Sequence, residues 1–401
     1  MFEEKLNQIR ADGLYRHMKY LQSPQTARVF MAHKDVLMLS SNSYLGLCAD
    51  VRLKQAARHA IEKYGTGSGG SRLTTGSYDI HKKLEEEIAD FKGTEAALVF
   101  NTGYMANVGA ISAIADKSWV IFSDRLNHAS IIDGCRLSGA EIVVYAHCDP
   151  ADLENKVRQH RGRRGLIITD GLFSVDGDIA PLPELVRIAR DYRVLLMVDD
   201  AHATGVLGDN GGGTSDYFGL TGGIDIAMGT LSKALASEGG FIAGKRSLID
   251  YLANTARSFI FSTALSPATI AVSRAALDIV RTEPAARKTL LAHSLWFREE
   301  LRAAGFAVPD HPTPIISIVL GQPDMAVDFS ERLMKKQIFV SAIRPPTVPA
   351  GTSRLRINMM ATHAKDDLSR ALTCMEDAGR ELGLIKAQSA RGKALGVRSE
   401  E

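Results

Sequence analysis

Lys233 stands among small residues in Thr230-Leu-Ser232-Lys233, just after the apolar run DIAMG (225–229). For an arbitrary lysine a solvated surface charge is the commoner state. Here the small neighbours leave room around the amine, and the Thr230 and Ser232 hydroxyls could hold a phosphate. Partial burial lowers an amine's pKa and favours Schiff-base chemistry. Other strand ends also carry polar groups. VLLMV (194–198) runs into Asp199-Asp200-Ala201-His202. An aspartate at the end of a parallel strand lies on the edge where open α/β sheets bind ligands. Gly103 and Tyr104 follow AALVF (96–100) and open the stretch YMANVGAISAIA, offering helix N–H groups to an anion. His128, in DRLNHAS, follows another strand; taken alone, such a histidine is more often a cap or a core residue.

Together these are the parts that hold pyridoxal 5'-phosphate (PLP). A lysine makes the covalent link, and a carboxylate keeps the pyridine nitrogen protonated. A flat ring covers one face, and a helix N-terminus with hydroxyls takes the phosphate. Each part is weak evidence alone; their joint arrangement is not.

A competing signal is GTGSGGSRLTTG (65–76), whose first half satisfies G-x-G-x-x-G. A dinucleotide turn must follow a strand and open a helix. The preceding VRLKQAARHAIEKYG is helical in pattern, so half the context is missing. No Gly-Lys-Ser/Thr closes a P-loop. The run reads either as a helix-to-helix connector or as backbone that approaches a ligand closely.

The positioning elements follow from periodicity. Strands are expected at AALVF, WVIF (119–122), IVVY (142–145), GLIIT (165–169), VLLMV, DIAMG and FIAG (241–244). Near-continuous apolar strands alternating with helices give a mostly parallel α/β sheet covered on both faces. Asp149-Pro150 caps the helix ADLENKVRQH, and PLPELVRIARDYR (181–193) is another helix. VLMLS (36–40) reads as a short strand. Phe2, Leu6, Ile9 and Leu14 have roughly helical spacing within 2–20. After about 285 the rhythm becomes mixed α+β. PIISIVL (314–320), IFVSAI (338–343) and RLRINM (354–359) read as strands between helical stretches. The expected organisation is an N-terminal helix and strand segment (1–49), a large cofactor-binding domain (50–285), a small C-terminal domain (286–385) and a flexible tail (386–401).

The chain has 401 residues, 45% of them hydrophobic, and a formal net charge of +2 from 48 Lys+Arg against 46 Asp+Glu. Such balance argues against a nucleic-acid-coating surface. The four cysteines form no C-x-x-C pair, so neither a metal site nor a disulfide framework is expected, and reduced thiols are the default. The charged N-terminus lacks an apolar signal core and no run reaches membrane-span length. A cytoplasmic protein with no membrane partner is the expectation.

The chain resembles the α-oxoamine synthases, a branch of the fold-type-I, aspartate-aminotransferase-like PLP enzymes, over about residues 1–385. The segments that carry the resemblance are SNSYLGL (41–47), NTGYMANVG (101–109), DRLNHASIIDGCRLSGA (124–140), TDGLFSVDGDIAPL (169–182), VDDAHATGVLG (198–208), GTLSKALASEGG (229–240) and FSTALSP (261–267). The resemblance implies a fold-type-I transferase with a large parallel-sheet domain and a smaller α+β domain. It gives Lys233 the covalent link to PLP and the role of base at the substrate α-carbon. Asp199 would pair with the pyridinium nitrogen, His202 would bond the phenolic oxygen, and His128 would stack on the ring. Gly103, Tyr104 and Thr230 would bind phosphate, Ser174 would sit beside the cofactor, and Ser262 and Thr263 would reach the partner subunit's phosphate. Arg356 is implied for the amino-acid carboxylate. Arg16, Asn42, Arg344 and Thr347 are implied near the substrates, although for Arg16 a surface ion pair weighs equally. Ser68 and Gly69 would sit in a loop at a homodimer interface, near the acyl substrate in shared active sites. The implied reaction is a decarboxylating condensation of an amino acid with an acyl thioester. AIRPPTVPAGTSRLRI (342–357) favours the member that joins L-alanine to a pimeloyl thioester, on CoA or acyl-carrier protein, along with the serine palmitoyltransferases, over glycine C-acetyltransferase. HASIIDGCRLS also resembles glycine C-acetyltransferase, which keeps that reaction, or another α-oxoamine synthase, as the alternative. A PLP-fold regulator or scaffold is the non-enzymatic one.

Overall fold

The computed structural model describes residues 1–220 and 222–386. The expected flexible tail therefore lies, from 387 onward, outside the described residues. All seven anticipated strands of the central region form one sheet. Its order is β3 (Ala96–Phe100), β9 (Gly240–Gly244), β8 (Ile226–Thr230), β7 (Leu195–Asp199), β6 (Arg164–Asp170), β4 (Trp119–Asp124) and β5 (Glu141–Tyr145). Only β9 runs antiparallel to its neighbours. The carboxyl ends of the other six strands consequently share one edge.

The strands read as apolar runs because both faces are covered. Side chains alternate with the two-residue period of a pleated strand. On β7, Leu195 and Met197 face one layer while Leu196 and Val198 face the other. Ile121 and Ile168 join the first layer, against helices Gly103–Ile114 and Ala129–Ser138. Phe122 and Ile167 join the second, against helices Pro150–Gln159 and Leu182–Tyr192. Each such aliphatic or aromatic side chain contributes about 1.5–3 kcal/mol on full burial. Asp149 caps its helix as anticipated, accepting from the N–H groups of Ala151 and Asp152.

Two smaller sheets complete the fold. β10 (Ile315–Gly321), β13 (Ser353–Asn358) and β12 (Ser341–Ile343) form an antiparallel sheet in the order β10-β13-β12. β1 (Arg28–Met31) and β2 (Lys34–Met38) form a hairpin that β11 (Ile338–Phe339) joins in parallel to β2. Expectation and structure differ at three places. IFVSAI is two strands in two sheets, divided at Val340, where the Ser341 N–H leaves the ladder to donate to Ser40 Oγ. RVFM (28–31) is a strand that the sequence reading did not anticipate. The first helix covers only Phe2–Ala11, because Asp12-Gly13 ends it with Gly13 at φ +66°, so Leu14 lies beyond it.

The glycine run connects helices Val51–Tyr64 and Asp79–Lys92, so no strand leads into it and the dinucleotide reading fails. Its small residues serve a tight closure. A Cβ on Gly76 would lie 2.0 Å from Gly70 O, and one on Gly70 would lie 2.2 Å from Thr75 Oγ1. Gly69 takes φ +69°, a left-handed conformation that a side chain disfavours.

Candidate active site

Three strands of the large sheet end in polar residues at neighbouring positions: β6 in Asp170, β7 in Asp199 and β8 in Thr230. Asp170 and Asp199 are register partners. Asp199 is buried, and its two oxygens accept from Asn107 Nδ2 at 2.7 Å and from the Ala201 N–H at 2.8 Å. Asn107 reaches it from the helix Gly103–Ile114, whose N-terminus Thr102 caps by accepting from the Met105 N–H.

Lys233 follows β8 by three residues in an irregular turn that Leu231 and Gly239 close by a backbone hydrogen bond. Burial lowers its pKa to about 8 against the pull of Asp199 and Asp170, with Arg356 lowering it further. An amine so placed is neutral far more often near physiological pH than a free lysine. Asp170 is pushed well above the usual carboxylate range by burial first and by Asp199 second.

His202 lies in the turn after β7 and is buried. Burial, then the charges of Lys233 and Arg356, hold it well below the ordinary histidine pKa, so it is neutral. Tyr44 Oη lies 2.7 Å from His202 Nδ1. Burial raises the Tyr44 pKa to about 12, so the phenol keeps its proton. His128 is the N-cap of helix Ala129–Ser138; its backbone N–H donates to Asp170 Oδ2 at 2.8 Å, and its ring Nδ1 lies 2.7 Å from Ser130 Oγ. Burial also lowers its pKa, with Asp199 opposing and Lys233 reinforcing.

From the smaller sheet, Arg356 on β13 donates to Asn42 Oδ1 at 3.1 Å, and Asn358 Nδ2 donates to the same oxygen at 3.0 Å. Arg356 Nε is buried without a hydrogen-bond partner. A buried guanidinium with an unused donor is prepared for a carboxylate.

These residues fit PLP. The N–H groups of Gly103 and Tyr104 take no acceptor among the described residues and point from a helix N-terminus. A Cβ on Gly103 would lie 3.0 Å from the flexible end of Met228, whereas one on Gly240 would lie 2.5 Å from Gly103 Cα, so it is Gly240 that lets the two backbones cross here. Thr230 lies next to Gly103, but its hydroxyl donates to Gly239 O at 2.8 Å, so holding phosphate requires that hydroxyl to turn. The Tyr104 ring turns outward and bonds Asp133, which leaves its backbone N–H as the relevant group. Ser174 is half-buried in the turn after β6.

The remaining expected residues form two other groups. Ser71 and Thr263 pair as a β-bridge, Asn101 Nδ2 donates to Thr263 O, and the neighbouring Ser262 is half-buried. Ser68 is buried, and its hydroxyl donates to Ala264 O at 2.6 Å. Gly69 remains exposed. Arg16, Arg344 and Thr347 line a separate cavity of about 550 Å³ with Lys19 and Ser341. Arg344 donates to the Gly13 and Tyr15 carbonyls, anchoring the N-terminal segment, and Arg16 donates to Thr347 Oγ1 at 3.3 Å.

Asn107, Ser130, Tyr44 and Asp170 were missed as site residues. Asp170 had a signal, since it follows GLIIT as Asp199 follows VLLMV. Tyr44 and Asn107 act through hydrogen bonds that only the folded chain creates, and Ser130 joins them through Asn107.

The sequence matches the aminotransferase class I and II family over residues 34–374. It is 53% identical over 384 residues to a putative 8-amino-7-oxononanoate synthase of Acetivibrio thermocellus, covering 96% of this chain and 99% of that one. It is 52% identical to the 8-amino-7-oxononanoate synthase of Lysinibacillus sphaericus, covering 96% and 99%. A solved serine palmitoyltransferase variant of S. paucimobilis, with a bound PLP–myriocin aldimine, superposes with a TM-score of 0.91 at 30% identity, covering 96% of this chain and 98% of that one. A match across most of its length, over a sheet whose strand ends bring Asp199, Lys233 and two histidines to one edge, makes the chain a member of the class I and II aminotransferase family.

Proposed function

We propose that the chain is an 8-amino-7-oxononanoate synthase, which joins L-alanine to a pimeloyl thioester with loss of CO2 and release of the thiol, in biotin biosynthesis. The observation that carries this reading is the convergence of Lys233, its pKa lowered to about 8, with Asp199 and with Arg356, whose Nε is unpartnered. The relatives at 53% and 52% identity bear that name, whereas the serine palmitoyltransferase is 30% identical.

When bound, PLP supplies an electron sink for negative charge at the alanine α-carbon. The chain supplies position and protons. Asp199, fixed by Asn107 and the Ala201 N–H, would hold a proton at the pyridine nitrogen. His202 would hydrogen-bond the ring oxygen. His128, at the start of its helix, would cover the ring face. Gly103 and Tyr104 would present N–H groups to the phosphate. Arg356 grips the alanine carboxylate in a geometry that lysine does not reproduce. That grip sets the α-carbon hydrogen toward Lys233, whose neutral amine takes the proton and later returns one. Holding both reactants in this orientation converts a bimolecular encounter into a local one. Arg16 and Thr347 offer polar contacts at the cavity below β12, suited to the far end of a dicarboxylic acyl chain.

We place the reaction in the cytoplasm; among the described residues no helix is long and apolar enough to cross a membrane. A homodimer would bring Ser262, Thr263 and Gly69 of each subunit to the partner's site. Alanine, glycine and serine, each assayed against short, dicarboxylic and long acyl thioesters by thiol release, test the reading. Alanine with the pimeloyl thioester should turn over fastest; turnover confined to glycine with acetyl-CoA would overturn the substrate assignment.

A further inference from the structure

His128, Ser130, Asn107 and Asp199 form a continuous hydrogen-bonded chain beneath the ring-covering position. Asn107 Nδ2 lies 2.7 Å from Asp199 Oδ2 and 2.9 Å from Ser130 Oγ. Ser130 Oγ in turn lies 2.7 Å from His128 Nδ1. The members at the centre are sealed from water: Ser130 and Asn107 are each 1% exposed, and Asp199 is 2% exposed.

The chain has a direction. An aspartate oxygen that serves as acceptor fixes the Asn107 amide with Nδ2 toward it, because the turned-over amide would set Oδ1 against the carboxylate. Asn107 Oδ1 accordingly points away, buried and without a partner. Both Nδ2 hydrogens are then committed, one to Asp199 and one to Ser130 Oγ. A hydroxyl that accepts there has its single proton left for the other side, and His128 Nδ1 is the atom it meets. The Ser130 backbone N–H also approaches Nδ1, at 3.3 Å. Two donors converge on this nitrogen, so it cannot carry a hydrogen of its own without meeting both.

We propose that Asn107 and Ser130 are positioning residues that transmit the acceptor character of Asp199 to His128, locking its imidazole in the tautomer with the proton on Nε2. His128 thereby faces the reacting groups as a fixed hydrogen-bond donor, and it cannot accept a proton at Nε2. Lys233 remains the group that moves the α-carbon proton. The ring-covering histidine and the pyridine-binding aspartate, which start from different strands and helices, are set by one relay. This inference rests on the PLP reading for its consequence, but not for its geometry.

The tautomer can be read without substrate. Full-length protein labelled with 15N-histidine, with and without added PLP, gives separate nitrogen shifts for protonated and unprotonated ring positions; His128 is assigned by the signal lost in His128→Gln. The wild type should show Nδ1 bare and Nε2 protonated. Ser130→Ala should release a mixture of tautomers, Ser130→Thr should keep the wild-type pattern, and Asn107→Leu should also loosen it. In turnover, Ser130→Ala should lose about 10-fold in kcat/KM, the lower end of what hydrogen-bond partners of metal-ligating histidines carry, and Ser130→Thr should restore it. A wild-type protein with the proton on Nδ1 overturns the proposal without any variant having to fold. So does an unchanged tautomer in Ser130→Ala. A failure of alanine turnover with the tautomer as expected would instead count against the synthase reading alone.

Discussion

Asp170 and Asp199 stand as register partners at the carboxyl ends of β6 and β7, and burial first, then the neighbouring Asp199, pushes Asp170 well above the carboxylate range. Two carboxylates this close favour one charge rather than two. A neutral amide should therefore replace Asp170 more easily than Asp199. Asp170→Asn retains an oxygen for the His128 N–H, and kcat/KM is expected to fall by less than about 10-fold. Asp199→Asn removes the charge that holds the pyridine proton and should cost on the order of 100-fold or more. Comparable losses in the two variants would contradict the assignment of the charge.

The Lys233 amine should behave as a group of pKa about 8. Only the neutral amine attacks an aldehyde, and its fraction rises with pH. The rate at which the cofactor-free protein captures PLP should climb through a midpoint near pH 8. A midpoint near the free-lysine value of about 10.4 would show that burial does not act on this amine. Lys233→Ala should bind PLP without the absorbance of the covalent link.

Arg356→Lys should raise the KM for alanine about 10-fold or more while PLP affinity stays within about twofold. Lysine keeps the charge and loses the planar fork that matches a carboxylate. Loss of PLP binding instead would place Arg356 in the cofactor site.

Beneath the site, Lys92 Nζ lies 3.3 Å from Asp200 Oδ2, and both side chains are almost wholly buried. Lys92 also donates to Gly212 O at 2.7 Å, tying down the loop that carries His202. Removing one partner of a buried pair leaves the other charge uncompensated. Lys92→Met should lower unfolding stability by about 3–5 kcal/mol in urea titration. A loss below about 1 kcal/mol would mean that the donors on Thr214 suffice for Asp200.

The large sheet was legible because its strands are apolar on both faces and each ends at a polar residue or turn. All seven strands stand within one or two residues of their expected bounds. The smaller sheets were less legible. Val340 divides one apolar run between two sheets, a choice made by partners at Ser40 and Leu39 that lie three hundred residues away. The reacting residues Lys233, Asp199 and His202 could be named from their place after strands. Their supports could not: Tyr44 and Asn107 reach His202 and Asp199 across separations that only folding closes, and Ser130, a near neighbour of His128 in sequence, is linked to Asp199 only through Asn107. Nor was the Ser68 hydroxyl's bond to Ala264 O, across the loop to the segment after Thr263, readable from the glycine run.

The carbon lost in the reaction tests the central claim most directly. With L-alanine carrying 13C in its carboxyl group and a pimeloyl thioester as partner, one equivalent of 13CO2 should appear for each thiol released, and the amino ketone should contain no label. Label retained in the product, or thiol released without labelled CO2, would contradict a decarboxylating condensation.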